Sequence, residues 1–245
     1  MQFSLYRVFF CNLREIKPLQ LMKKIIIALD GHAGCGKSTT AKAVAKSLNY
    51  VFIDTGAMYR AVTYYFLENE VDFADPTEVK KALNEISLKF VFNPEKGLGE
   101  IHLNNKNVEP FIRNMDITSR VSDVAAIKEV RVFCVREQQK MGEDKGIVMD
   151  GRDIGTVVFP TAELKVFMTA DVKVRAKRRL KEMESKGVST NLSDVIADIE
   201  NRDHLDSTRK ESPLKKADDA VVVDTSGLTI QEQVDSILKL AKKKL

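Results

Sequence analysis

Lys24-Ile25-Ile26-Ile27-Ala28-Leu29-Asp30-Gly31-His32-Ala33-Gly34-Cys35-Gly36-Lys37-Ser38 begins as a β-branched apolar run of strand length and ends in a glycine-rich loop. From Gly31 to Ser38 the loop fits G-x-x-x-x-G-K-[ST], the P-loop, whose glycines leave backbone N–H groups free to wrap a polyphosphate. In that pattern Lys37 reaches the outer phosphates and the Ser38 hydroxyl sits on a Mg²⁺ ion. Thr39 to Leu48 continues as a helix with Ala41, Val44 and Leu48 on one side. Strand, glycine loop and helix in that order are the context the motif requires. Gly31 to Thr39 is therefore expected to bind a nucleoside triphosphate.

Beyond this unit the chain alternates. Tyr50-Val51-Phe52-Ile53 reads as a second strand and Thr55 to Leu67 as a second helix. Gly146-Ile147-Val148-Met149 reads as a third strand. Leu164 to Met168 is a fourth, followed by a helix, and Ala220 to Val223 a fifth, followed by a helix from Ile230 to Lys243. Near-continuous apolar strands separated by helices predict an α/β fold, a doubly wound parallel five-stranded sheet with helices on both faces. Ser87 to Arg113 breaks the pattern. Short alternating strands around Asn93-Pro94-Glu95-Lys96-Gly97 predict a small antiparallel insert there. Helical stretches Asp116 to Ile127 and Glu129 to Lys140 follow it.

Composition narrows the function classes. A chain of 245 residues, 44% hydrophobic, can bury one full core. A net charge of +4 suits phosphorylated small molecules and falls short of the bias of a dedicated nucleic-acid binder. Cys11, Cys35 and Cys134 form an odd, widely spaced set without C-x-x-C, against both a disulfide framework and a zinc site. His32, His102 and His204 are equally scattered. No apolar run reaches the ~18 residues of a membrane span, so a cytoplasmic protein without a membrane partner is expected. Met1 to Leu21 lacks the long apolar region and cleavage positions of a signal peptide. It reads as a dispensable leader before a functional start at Met22, the alternative being an edge strand or amphipathic arm.

Ligands of such sheets bind beyond the carboxyl ends of the strands. After the second strand, Thr55 is placed to cap the next helix and Arg60 to grip a further phosphate near its N-terminus. Spacing alone is met as well by a solvated arginine. After the third strand comes Asp150-Gly151-Arg152-Asp153-Ile154-Gly155-Thr156. Arg152 suits bidentate contact with phosphate, and Asp153, an acceptor-only carboxylate, suits an exocyclic amine. A salt-bridged turn is the structural alternative. After the fourth strand, Arg175, Lys177, Arg178, Arg179 and Lys181 precede a helix with Arg202, Asp206 and Arg209 on one face. These are either a solvated basic surface or a mobile lid of unpaired arginines over a transferring phosphoryl group.

Ala28 to Ser38, Ile53-Asp54-Thr55-Gly56-Ala57-Met58-Tyr59-Arg60 and Met149-Asp150-Gly151-Arg152-Asp153-Ile154-Gly155-Thr156-Val157-Val158-Phe159-Pro160 carry a resemblance to the bacterial cytidylate kinases, a family of P-loop nucleoside monophosphate kinases. The resemblance runs from about Met22 to the C-terminus. It implies a kinase domain over 22–245. Its core would be 22–55, 142–171 and 213–245, its monophosphate-binding region with the insert 56–141, and its lid 172–212. It implies transfer of the γ-phosphoryl of ATP to CMP or dCMP, in pyrimidine nucleotide metabolism, by a monomer that needs Mg²⁺ and no nucleic-acid partner. Thr55, Arg60 and Arg152 would hold the CMP phosphate, and Ser122, Arg131 and Asp153 would read cytosine. Asp206 would take the ribose hydroxyls with Arg202 beside it. Arg175, Arg178, Arg202 and Arg209 would surround the transferring group together with Lys37 and Arg152. A kinase of another monophosphate such as UMP is the near alternative.

Two departures from the family pattern are visible, Cys35 within the loop and the leader before Met22. Cys35 is either a thiol activated by the loop's N–H groups and Lys37 or a small residue chosen for size, its sulfur turned away. A GTPase would need N-K-x-D, and Asn104-Asn105-Lys106-Asn107 lacks the Asp. An RNA-binding module would interleave aromatics with its cations, and none lies between Asp171 and Lys186.

Overall fold

The computed structural model describes residues 23–185 and 187–245; the leader lies outside the described residues. The first apolar run becomes β1 (Ile26–Gly31), every residue of it buried. Its side chains alternate between the two faces of a sheet. Ile26 and Ala28 join one apolar cluster, while Ile25, Ile27 and Leu29 join the other. A strand buried on both sides needs this two-faced apolar character, which is why it shows no polar alternation. β1 is followed by α1 (Lys37–Leu48), β2 (Val51–Asp54) and α2 (Thr55–Glu68). β6 (Ile147–Gly151), β7 (Leu164–Thr169) and β8 (Val221–Asp224) complete a five-stranded sheet in the order β2-β6-β1-β7-β8. All its pairings are parallel. The five strands and the parallel sheet expected from the sequence are all present.

The chain turns to one side of β1 to make β2 and to the other to make β7, so the strand order reverses there and opens a crevice at the strands' carboxyl ends. Register brings the chemistry to that edge, with Leu29 opposite Asp150 and Gly31 opposite Met168. Gly31 has a φ of +145°, and a Cβ there would lie 2.0 Å from the Met168 carbonyl oxygen. No other residue fits so close to β7.

The segment between α2 and β6 holds α3 (Pro76–Asn84), β3 (Leu88–Asn93), β4 (Leu98–Leu103), β5 (Lys106–Asn107), α4 (Met115–Ala126) and α5 (Lys128–Met141). β3, β4 and β5 form the antiparallel insert, one short strand more than the sequence indicated. After β7 come α6 (Val172–Ser185) and α7 (Leu192–Thr208), which carry a separate small core of Ala176, Val195 and Ile199. α8 (Ile230–Ala241) closes the chain behind a Thr229–Glu232 capping box. Its buried Gln233 accepts from the Thr40 hydroxyl at 2.8 Å, which ties it to α1.

Three local features differ from expectation. Asp54, not Thr55, caps α2, since its carboxylate accepts from the Ala57 N–H at 3.0 Å. The Thr55 hydroxyl is used elsewhere, donating to the Asp150 carbonyl at 2.7 Å. α1 begins at Lys37, so the helix starts inside the phosphate-binding motif. Ile154–Val158 is a turn of π-helix that sequence periodicity does not announce. The buried Asp30 carboxylate accepts its first N–H groups, from Ile154 at 2.8 Å and Gly155 at 2.7 Å. Burial raises the Asp30 carboxyl to about 6 against those two backbone donors. Asp30 thereby fixes the loop that carries Arg152 and Asp153.

Candidate active site

The P-loop wraps the N-terminus of α1. Lys37 is buried, its ammonium donating to the His32 carbonyl at 2.5 Å and lying 3.5 Å from the Cys35 sulfur. Ser38 donates to Asp150 at 2.5 Å, and the second Asp150 oxygen is buried with no hydrogen-bond partner. Burial, then the neighbouring Asp54 carboxylate, pushes the Asp150 carboxyl up to about 7. Asp150 near the end of β6 thus ties the loop's serine to the neighbouring strand and keeps one oxygen free of protein donors. Cys35 is fully buried, with its side chain in the apolar cluster behind the loop. Its burial suits a residue chosen for size, while the Lys37 contact shows that the sulfur is not turned away from the loop's lysine. His32 and Ala33 are half-buried, Gly34 and Thr39 exposed.

Across the crevice, Arg152 donates through Nε to Asp206 on α7 at 2.7 Å. Arg209 approaches the other Asp206 oxygen at 3.6 Å. Arg131 on α5 and Asp153 form a buried pair, with Arg209 4.0 Å from the second Asp153 oxygen. The Arg131 guanidinium also lies 5.4 Å from the centre of the Tyr59 ring and donates to the Ala125 carbonyl on α4 at 3.2 Å. Ser122 sits half-buried one turn earlier on α4. Arg60 donates to the Thr118 hydroxyl at 2.9 Å. Arg202 has a buried Nε without a partner, and burial, reinforced by Arg152, lowers its guanidinium to about 10.

The other lid arginines are engaged, contrary to the expectation of unpaired cations. Arg175 is buried and bonded to Asp203, to Ala170 and to the P-loop at Ala33. Arg178 bonds the Thr225 carbonyl at 2.6 Å and its hydroxyl at 3.2 Å, and that hydroxyl in turn donates to the Cys35 carbonyl at 2.9 Å. Arg178 therefore braces the rear of the loop. Arg179 pairs with Glu182 on its own helix.

Asp150 and Asp203 belong to this cluster and were not among the site residues read from sequence. Asp150 carries a usable signal, an acidic residue ending an apolar strand. Asp203 sits in a charge-dense helix where spacing singles out no one residue. Among the described residues no group of three or more His, Cys, Asp and Glu side chains forms a metal cage, and no helix is long and apolar enough to cross a membrane.

Comparison with known proteins joins this geometry to a family. The cytidylate kinase family model matches residues 27–243. The cytidylate kinase of Cytophaga hutchinsonii is 52% identical over 224 residues, 91% of this chain and 96% of that relative. That of Bacteroides fragilis is 50% identical over 220 residues, 89% and 96% of the two chains. Among solved structures, an uncharacterized protein from Eubacterium ventriosum aligns at a TM-score of 0.51 with 15% identity, over 90% of this chain and 99% of that one, a likeness of fold alone. The extent of the family match and the half-identical relatives show that the chain belongs to the cytidylate kinase family.

Proposed function

We propose that this family member transfers the γ-phosphoryl of ATP to CMP or dCMP, with the P-loop holding ATP and the Arg131–Asp153 side of the crevice holding the monophosphate. The observation that carries the reading is that buried pair, next in sequence to Arg152. Cytosine presents a 4-amino donor and ring acceptors on adjacent atoms. Asp153 can accept from the first while Arg131 donates to the others. Uracil offers an oxygen at that position, against which a carboxylate has nothing to accept.

In this reading Arg60 and Arg152 would take the monophosphate, Asp206 the ribose hydroxyls, and Arg202 and Arg209 the phosphoryl group in transfer. The acceptor is an anionic phosphate oxygen, so no strong general base is needed, and no histidine is assigned that role. The chain contributes in-line positioning and cations where negative charge develops, and enclosure keeps water from taking the phosphoryl group. Mg²⁺ fits beside Ser38 and the orphan Asp150 oxygen, where it would neutralise phosphate charge.

The direct test is steady-state phosphorylation of CMP, dCMP, UMP and AMP side by side with ATP. CMP or dCMP should lead. Equal or greater kcat/KM for UMP or AMP overturns the assignment. In the same assay Asp153→Asn should lower kcat/KM for CMP by roughly 10–1000-fold and for UMP by less, so the CMP/UMP ratio contracts. An unchanged ratio removes Asp153 from base reading.

A further inference from the structure

One carboxylate outside the proposed nucleotide contacts ties two segments together. Asp203 on α7 accepts from the Arg175 guanidinium on α6 at 2.5 Å and presents its other oxygen to the His32 imidazole, 3.3 Å from Nδ1. The remaining bonds of Arg175 go to Ala170 at the end of β7, at 3.0 Å, and to the Ala33 carbonyl of the P-loop, at 3.2 Å. The Arg175 Cβ rests so close to Gly34 that a Cβ there would lie 3.2 Å away, at a φ of +76°. Sheet, loop and both lid helices meet at this point.

The His32 contact is close but out of line. Neither its Nδ1 nor the facing Asp203 oxygen makes a hydrogen bond, though both atoms are buried. The imidazole is held edge-on to Phe167, ring centres 6.1 Å apart, while the carbonyl of the same residue accepts from Lys37. Residue 32 thus touches the phosphate-seeking lysine through its backbone and the lid through its ring. Asp203 itself is unsuited to meet phosphate, since like charges repel. Its contribution must run through the groups it holds.

We infer that Asp203 is a positioning residue for phosphoryl transfer: it bonds Arg175 of the lid and lies against His32 of the P-loop, so that loop and lid enclose the phosphates as one unit. The inference rests on the phosphoryl-transfer reading given above. Loss of the carboxylate leaves the binding groups in place and loosens their approach to one another, so it acts on the chemical step more than on binding.

Asp203→Asn keeps the shape and removes the charge. Its kcat should fall roughly 10–100-fold while KM for CMP and for ATP each move by less than about threefold. Asp203→Glu should recover at least about a third of the lost kcat, and the Asn variant should keep its Tm within about 3 °C. A carboxylate that only buttressed the fold would lower Tm and shift both KM values while leaving kcat alone. That pattern overturns the inference, as does an unchanged kcat. If Asp203→Asn does not fold, His32→Phe removes the other half of the contact and keeps an aromatic ring against Phe167. Its kcat should then fall about 3–10-fold with KM retained, and full kcat overturns the inference. A wild-type protein inactive on CMP refutes the function itself, whereas an active wild type with indifferent variants refutes only the role of Asp203.

Discussion

Ser38 and Asp150 are 112 residues apart in the chain yet share a 2.5 Å hydrogen bond. Because burial and Asp54 raise the Asp150 carboxyl to about 7, the folded protein keeps a proton that the unfolded chain releases near 3.8, the ordinary value of an aspartate. Stability of the nucleotide-free protein therefore declines as pH rises from about 4 towards about 7, and Asp30 acts in the same direction. Asp150→Asn removes this dependence at its source. At pH 8 the variant should be more stable than wild type by about 1–2 kcal/mol in chemical denaturation, with no gain near pH 4, and its kcat should drop by at least about 100-fold. A stability difference that does not change with pH contradicts the account. At this scale the sequence was readable wherever chemistry follows fixed spacing, as from Gly31 to Ser38. It was opaque where pairing is made by folding, as for Asp150 with Ser38 and Asp203 with Arg175. Thr55 shows the same limit, since a hydroxyl at a helix start can cap or reach across, and only the adjacent strand decides which.

The element scale separates what local pattern controls from what distant groups impose. The five sheet strands and the flanking helices follow apolar runs and helical periodicity, so they begin and end within one or two residues of where the sequence puts them. α3 is not among the expected helices: it is short, although Asp75 followed by Pro76 begins it. The π-turn after Asp153 has no local signature because Asp30, 124 residues away from Ile154, receives its N–H groups. The lid is another such case. Its cation density is plain in the sequence, while the partners that occupy those cations are not. With a small core of its own, the α6–α7 pair is suited to move as a body. ATP plus CMP should therefore protect the backbone amides of α6 and α7 from hydrogen exchange more than either ligand alone. Equal protection in free and doubly liganded enzyme argues against such motion.

For the whole molecule, the sheet is a floor with an apolar cluster on each side, and α4 of the insert region meets α7 of the lid. Ligands that bridge these parts add their binding free energy to folding. CMP together with a non-hydrolysable ATP analogue, each at about 100 times its Kd, should raise Tm by more than the sum of the separate shifts. A merely additive rise in thermal melting indicates that the two halves of the crevice bind independently. The pairing across the crevice has a further consequence. Arg152 rests on Asp206, Arg131 on Asp153 and Lys37 on the His32 carbonyl, so an arriving nucleotide would find its proposed partners engaged. Admission is then an exchange, and its tempo is set by how often those internal pairs let go. In stopped-flow mixing, the observed association rate should climb with nucleotide concentration and then level off, at a ceiling belonging to the protein rather than to the ligand.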